Sequence, residues 1–329
     1  MEFLFLLFLS VFCACIPMIV FLAAVWWLDR YDREPIWMVV GTFLWGAVGA
    51  IGGALVTGVP SGWILSMVVG PSMANTLSPV LIAPLTEEPV KAAILFLVVR
   101  SRHFDNVTDG FVYGAAAGLG FGMTENLLYF GMVAKTGIAA WVTTVVIRTL
   151  FSAVMHASAT ATVGASLGFA RFRPIQWQIV IVGSGFAAAI GMHALWNGLI
   201  VASEAFSQPI VHIANFALLP IEVLMVVGIF MLCVHSEKRV IRRHLTAEAK
   251  RGLLPAAHVP VLCSTIKRGR HGWLERGIPQ ALYVTTATSL ALKMDQARRA
   301  PRRRKKDFLD EIERLRTELT RLRGLATAG

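Results

Sequence analysis

The sequence predicts an all-α, polytopic membrane protein: a helical bundle of about seven spanning helices followed by a basic tail. Hydrophobic residues make up 56% of the 329 positions, charged residues only 16%, and the mean hydropathy is +0.63. Soluble globular chains run nearer to about 25% charged. Apolar runs of roughly 20 residues recur from Phe3 to Val234, enough to cross a hydrocarbon core of about 30 Å. The net charge of +11 is unevenly placed. Residues 236–329 hold 22 of the 31 Lys and Arg and 9 of the 20 Asp and Glu, a surplus of 13, while residues 1–235 carry a deficit of 2. A disordered chain, a nucleic-acid-binding domain and a water-exposed enzyme are excluded over most of the length. Two regions follow: a near-neutral membrane core over 1–235 and a basic tail over 236–329.

Seven stretches read as spanning helices, at about 3–28, 36–58, 77–99, 110–133, 138–170, 175–202 and 209–235. The first has no Lys or Arg before it and outruns the apolar core of a signal peptide, so it reads as an anchor. Residues 60–75 (PSGWILSMVVGPSMAN) are apolar but interrupted by Gly and Pro. They suggest a re-entrant or interfacial piece, with an eighth span as the alternative. Arg30 and Arg33, Arg100 and Arg102, Arg171 and Arg173, and the whole tail fall on alternate loops, against Lys135 alone on the opposite ones. The positive-inside rule puts those basic loops and the tail in the cytoplasm and the N-terminus outside. An eighth crossing would break that alternation. The four cysteines, Cys13, Cys15, Cys233 and Cys263, have no metal-site or disulfide-framework spacing.

Ionisable residues inside the apolar runs need a partner or a purpose, since each costs roughly 2.5–3.5 kcal/mol on insertion scales. The core holds Glu87, Glu88, Lys91, Glu125, Arg148, His156, His193 and Glu222. Counted inward from the cytoplasmic ends at about 1.5 Å per residue, Glu87, Glu125, His156 and His193 share one layer, ~20–27 Å deep. Four helices thus bring acid–base groups to one level. Glu87 and Lys91 are four residues apart and share a face, with Glu88 turned about 100° away. Thr86 before Glu87-Glu88-Pro89 reads as a helix N-cap, and Pro84 and Pro89 as marks of a helix broken inside the membrane. Gly110, Gly114, Gly118 and Gly122 form a seam for close helix packing, with Glu125 and Asn126 at its edge. Arg148, Ser152, His156 and Thr160 make a second four-residue ladder, and His193 and Asn197 project together. Glu222 is a candidate partner for Arg148.

The chain has no HExxH, no GxGD and no serine elbow. A proton-coupled transporter would use the same buried groups, but no inverted repeat is visible and seven spans divide poorly in two. A membrane scaffold whose tail does the work is a third reading.

The residues carry a further signal. Asp29-Arg30-Tyr31-Asp32-Arg33-Glu34-Pro35 follows the first span, and Glu87-Glu88-x-x-Lys91 lies in the third. Phe121-Gly-x-x-Glu125-Asn126, Arg148 upstream of His156, and His193-x-x-x-Asn197 come in order after them. This set resembles the PrsW-type intramembrane proteases, distant relatives of the CPBP group that contains the prenyl-protein (CAAX) endopeptidases. The resemblance covers about residues 15–235. It implies hydrolysis of a peptide bond in or near a membrane segment of a membrane-anchored protein, such as an anti-sigma factor in a bacterial plasma membrane. The catalytic set that the resemblance implies is the Glu87-Glu88-x-x-Lys91 motif with His156 and His193; the buried groups themselves add Glu125 and Asn197 as catalytic candidates, with Lys91, Asn126 and Arg148 in support. Where the prenyl-endopeptidase branch ends its second motif in His, this chain has Glu125, so His156 or a metal would supply the missing function. In the reading favoured here Glu87 is the general base and Asn197 stabilises the oxyanion. Zn²⁺ sits on His156, His193 and Glu87; a metal-free version stays open.

The tail has its own pattern. Residues 236–300 mix basic, Gly, Pro and moderately apolar pieces and read as a weakly structured linker. The basic run HSEKRVIRRH after the last span suits anionic lipid headgroups. Phe308, Ile312, Leu315, Leu319 and Leu322, spaced 4, 3, 4, 3, predict an amphipathic helix near 303–323, lying on a surface or serving self-association through residues 308–322. Nucleic acid is not an expected partner, since the basic patch lacks aromatic interleaving.

Overall fold

Long apolar runs become long helices because a chain in lipid must satisfy every backbone group internally. The computed structural model describes residues 1–29, 33–101, 104, 106–206, 209–299 and 302–325, with the side chains at 28, 204–206, 209–219, 222, 223, 225, 226 and 302–304 also left outside. The described residues contain helices and no strand. The chain divides into two units, Met1–Leu28 with Glu34–Phe230, and Asp29–Arg33 with Met231–Gly329.

The first unit is built from α1 (Glu2–Leu28), α2 (Ile36–Val69) and α3 (71–92). After a short α4 (Leu95–Val98) come α5 (Val107–Val133), α6 (Ile138–Ala170), α7 (Ile175–Phe206) and the start of α8 (Pro209–Lys250). Among the described residues, four helical stretches are long and apolar enough to cross a membrane: Glu2–Trp27, Ile36–Val69, Ile138–Ala170 and Ile175–Ser203. The protein is a helical membrane bundle. Helix α5 is less apolar because it lies inside the unit, with Tyr113, Gly118 and Phe121 buried along its length. A helix wrapped by protein needs no lipid-facing surface.

Residues 60–75 are divided between two helices and form no element of their own. Helix α2 runs straight through Pro60 to Val69, and Gly70, at φ 82°, turns the chain into α3 at Pro71. The segment is therefore the tip of a helical hairpin.

Glycine backbones set the helix spacing around α5. A Cβ added at Gly110 would lie 2.0 Å from Gly164 O, and one at Gly118 would lie 2.3 Å from His156 O. The predicted seam thus packs on α6. The opposite face meets α2, where Gly46 faces Ala117 O and Gly120 faces Phe43 O, both within 2.0 Å of an added Cβ. Helix α5 starts with a reciprocal cap between Asn106 and Asp109. Glu34, from the loop motif after α1, accepts from Tyr113 Oη on α5.

The second unit corrects the expectation of a weak linker over 236–300. The end of α8, α9 (His258–Leu262), α10 (Gln280–Arg299) and α11 (Arg302–Gly324) enclose an apolar core that includes Ile241, Leu245, Tyr283 and Leu290. The heptad stripe of α11 is used within this core: Ile312, Leu319 and Leu322 are buried, with Phe308 and Leu315 packed beside them. That face is already covered by the chain's own helices, so self-association through it would require the unit to open. Buried Glu248 anchors Arg316 at 2.6 Å and Arg251 at 2.9 Å. His258 Nδ1 lies 3.0 Å from Tyr283 Oη. Burial holds the His258 imidazole below its usual value and pushes the Tyr283 phenol up to about 12.

Candidate active site

Three π-helical turns interrupt the membrane helices: Trp45–Ala50 in α2, Ser78–Ile82 in α3 and Arg148–Ser152 in α6. Such turns rotate the side chains that follow them and recur at functional sites. In α3, the Ala83 N–H donates to Ser78 O, the π register. The next donor in that register would be Pro84, which has no N–H. The orphaned Pro79 carbonyl instead accepts Asn197 Nδ2 at 2.8 Å. The helix break foreseen at Thr86 is thus one turn earlier. Thr86 is no cap: it lies inside the helix, and its hydroxyl donates back to Ile82 O at 2.8 Å.

Beyond this break, Lys91 is fully buried and gathers the site. Its Nζ lies 2.8 Å from Glu88 Oε1, 3.2 Å from Glu87 Oε2 and 2.8 Å from His156 Nδ1. It also sits 4.0 Å from the centre of the Phe121 ring. Helical spacing had paired Lys91 with Glu87 and turned Glu88 away. A long side chain three and four residues on reaches both. Glu88, the more buried of the two, is saturated, since its Oε1 also meets His193 Nδ1 at 2.8 Å and its Oε2 accepts Thr160 Oγ1 at 3.2 Å.

The two imidazoles meet edge to face with centroids 4.9 Å apart. An ammonium only donates, so His156 Nδ1 accepts from Lys91 and His156 Nε2 donates to Glu125 Oε2 at 2.6 Å. His193 Nδ1 donates to Glu88, which leaves the Nε2 lone pair facing Glu87 Oε2 at 3.8 Å. That Glu87 oxygen accepts no aligned hydrogen bond. Two lone-pair atoms facing one another, one on a carboxylate, suit a shared cation. One donor atom each from Glu87, His156 and His193 lies within 4.8 Å of the others. The set fits a metal ion, with Glu88 holding His193 from behind in the manner of a carboxylate–histidine pair.

Glu125 is shared. Arg148 Nη2 lies 2.7 Å from the same oxygen that His156 contacts. Arg148 Nε donates to Asn126 Oδ1 at 3.1 Å, and the guanidinium stacks 3.6 Å over Tyr129. Arg148 thus pairs with Glu125 and Asn126, while the side chain of Glu222, its expected partner, lies outside the described residues.

A cavity of about 780 Å³ opens on the cluster, lined by Glu87, Glu125, Arg148, Ser152, His156 and Asn197 among others. Glu88, Lys91 and His193 stand behind this wall. The one-layer expectation is met for Glu87, Glu125, His156 and His193. The His193–Asn197 pairing is not: Asn197 turns to the α3 break while His193 reaches Glu88. Phe121, Tyr129 and Thr160 were missed as site residues. Thr160 had a signal in its place on the Arg148–His156 ladder and Phe121 in the Phe121-Gly-x-x-Glu125-Asn126 motif, while Tyr129 had none.

Polytopic helices around buried carboxylates and imidazoles, with a cavity reaching them, define an intramembrane hydrolytic centre as a class. The family model for the PrsW family intramembrane metalloprotease matches residues 34–232, and the chain belongs to that family. Relatives called Protease PrsW include one from Geobacillus kaustophilus (strain HTA426), 29% identical over 54% of this chain and 72% of its own length. Another, from Bacillus subtilis (strain 168), is 32% identical over 47% of this chain and 66% of its own. A third, from Clostridioides difficile (strain 630), is 32% identical over 35% of this chain and 48% of its own. No solved structure matches. The chain is thus an intramembrane protease with a Glu/His site of metal-binding type, acting on membrane proteins.

Proposed function

We propose that the chain hydrolyses a peptide bond in or beside a spanning segment of a membrane-anchored protein, at the centre formed by Glu87, His156 and His193. The observation that carries this reading is their convergence within 4.8 Å inside an apolar bundle, with Glu87 and His156 on the wall of a cavity and His193 just behind it. Glu87 is the general base, since its Oε2 is unengaged by any aligned hydrogen bond and its side chain is 16% exposed toward the cavity. In a metal-bearing version Glu87 and His193 would hold a Zn²⁺, with His156 joining by releasing Lys91 or Glu125, and the ion would supply Lewis-acid polarisation of the scissile carbonyl and a more acidic water; Glu87 would then be a ligand, and it serves as general base in the metal-free version. Glu88 keeps His193 in one tautomer. Lys91 balances the carboxylates and leaves Glu87 positioned toward water. Glu125, clamped by Arg148, orients His156 for proton transfer to the departing amine. Asn197 supports the site by capping the α3 break.

The setting proposed is a bacterial plasma membrane, with the N-terminus outside and the tail in the cytoplasm, as the alternation of basic loops supports. The basic residues after the last span, Lys238, Arg239, Arg242 and Arg243, would then face anionic headgroups.

Purified protein co-reconstituted with a single-span test protein supplies the test. Wild type cleaves it, and Glu87→Gln lowers turnover by at least about a thousandfold. Retained cleavage would refute the assignment. Metal analysis of detergent-purified wild type should show one zinc per chain, lost in His193→Ala; its absence from both would leave a glutamate-type hydrolase.

A further inference from the structure

We infer that Ser152 touches the substrate, its hydroxyl donating a hydrogen bond to the carbonyl oxygen of the peptide bond under attack. The inference rests on the peptidase reading above. Ser152 is 3% exposed, yet it lines the cavity with Glu87, Glu125 and His156. Hydroxyls within a helix usually turn back to the carbonyl four residues earlier. On α6 itself, Thr143 donates to Ala139 O, Thr144 to Ala140 O, and Thr162 to Ser158 O, each at 2.9 Å. Ser152 makes no hydrogen bond with any described residue.

The reason is built into the fold. The carbonyl four residues before Ser152 is Arg148 O, which in the π-helical turn accepts the Ala153 N–H. It also accepts Asn126 Nδ2 at 3.4 Å. A carbonyl has two lone pairs, and both are taken. The π turn and Asn126 together therefore release the Ser152 hydroxyl into the cavity, one helical turn before His156.

The chemistry of the wall selects its partner. In the resting site both His156 nitrogens are engaged, by Lys91 and by Glu125, and the free His193 Nε2 faces Glu87, so no imidazole is set against Ser152 as its base. It acts as a neutral donor and forms no acyl intermediate. Asn197, the other neutral donor near the centre, is committed to Pro79 O. The acceptor that gains negative charge during attack on a peptide bond is its carbonyl oxygen, and a preplaced donor acts most strongly there.

The test compares wild type, Ser152→Ala and Ser152→Thr, full-length and reconstituted with the same single-span protein. Ser152→Ala should lower kcat by about a hundredfold with KM within about twofold, the signature of an oxyanion donor. Its thermal midpoint should match wild type, since the hydroxyl bonds nothing in the resting protein. Ser152→Thr, which keeps the hydroxyl, should recover most of the turnover. A Ser152→Ala enzyme with unchanged kcat overturns the inference, as does a loss of activity matched by a loss of thermal stability. Labelling of wild type at Ser152 by a fluorophosphonate would overturn it too, by making the serine a nucleophile. Glu87→Gln fails separately: an active Glu87→Gln enzyme sinks the site reading itself, whatever Ser152 does.

Discussion

The two units solve the burial problem in opposite ways. In the first, Glu88, Lys91, His156 and His193 are at most 2% exposed, while Val56, Met67 and Val68 are at least 75% exposed. Polar groups are inside and apolar ones outside, as lipid demands. The second unit has the ordinary arrangement: Leu245, Leu290 and Leu319 at 0% exposure, and surface pairs such as Arg321–Glu318 at 2.5 Å. Lipid is as apolar as leucine, so burying leucine gains little between membrane helices. Their cohesion comes instead from backbone contact across glycine and from matched charges. In the tail, water outside makes apolar burial the main stabilising force.

Breaking the charge match in the first unit should have the largest effect. Lys91→Met leaves Glu87 and Glu88 buried without their cation, and removing one partner of a buried pair typically destabilises by about 3–5 kcal/mol. Thermal unfolding in detergent should show it, alongside lost cleavage; an unchanged midpoint would mean the carboxylates do not need the ammonium.

Next, Leu319→Ala in the tail should destabilise its own unit by about 2–5 kcal/mol through the cavity it leaves. Hydrogen exchange across 280–325 would rise while exchange across α5 and α6 stays unchanged. Loss of protection in α5 would show that the two units do not fold separately.

Gly118→Ala sharpens the glycine side of the comparison. The added methyl would lie 2.3 Å from His156 O, so α5 and α6 must part, at a cost of roughly 1–3 kcal/mol. Cleavage should fall, because the shift carries His156 away from Glu125. Gly131→Ala, on the same helix with nothing within 4 Å, is the control and should leave cleavage intact.

The smallest expected effect is one of pH, in the tail. Burial depresses the His258 pKa below 6.5, so the unfolded chain takes up this proton more readily than the folded one. The stabilisation from neutral His258 is complete above pH 6.5 and is lost as pH falls from there toward the folded value. Exchange in α10, corrected for intrinsic rate, should quicken between pH 7 and 5, and His258→Phe should flatten that response. Equal slopes in both proteins would remove His258 as the cause.

Much of the first unit was legible in order and in depth. Apolar runs set the helices, and counting residues from the basic loops put Glu87, Glu125, His156 and His193 at one level. The Gly110–Gly122 seam also named its helix face correctly. Pairings were harder. The Arg148–Glu125 pair at 2.7 Å was not foreseen, because spacing along one helix says nothing about which neighbour lies across the seam; the Glu222 expectation falls on a side chain outside the described residues. The Thr86 cap failed because the break falls earlier, at the π-helical turn Ser78–Ile82, and the His193–Asn197 pair was divided by partners on another helix, Glu88 for His193 and Pro79 O for Asn197. In the tail, the 308–322 stripe was visible, but not its cover, since 236–300 has too sparse an apolar pattern to announce α10.

The amino-acid order alone determined that this chain lives in a membrane, where its charges had to hide and which acids and imidazoles would share a depth. Hydropathy and a fixed rise per residue are properties of one segment at a time, so they can be read without a partner. Only the tertiary structure decided that Lys91 joins both glutamates to His156, that Asn197 serves Pro79, and that Ser152 is left with a free hydroxyl. Those outcomes depend on the rotation of one helix against another, and that rotation is set where glycine lets backbones touch and where a π-helical turn adds a residue to the register.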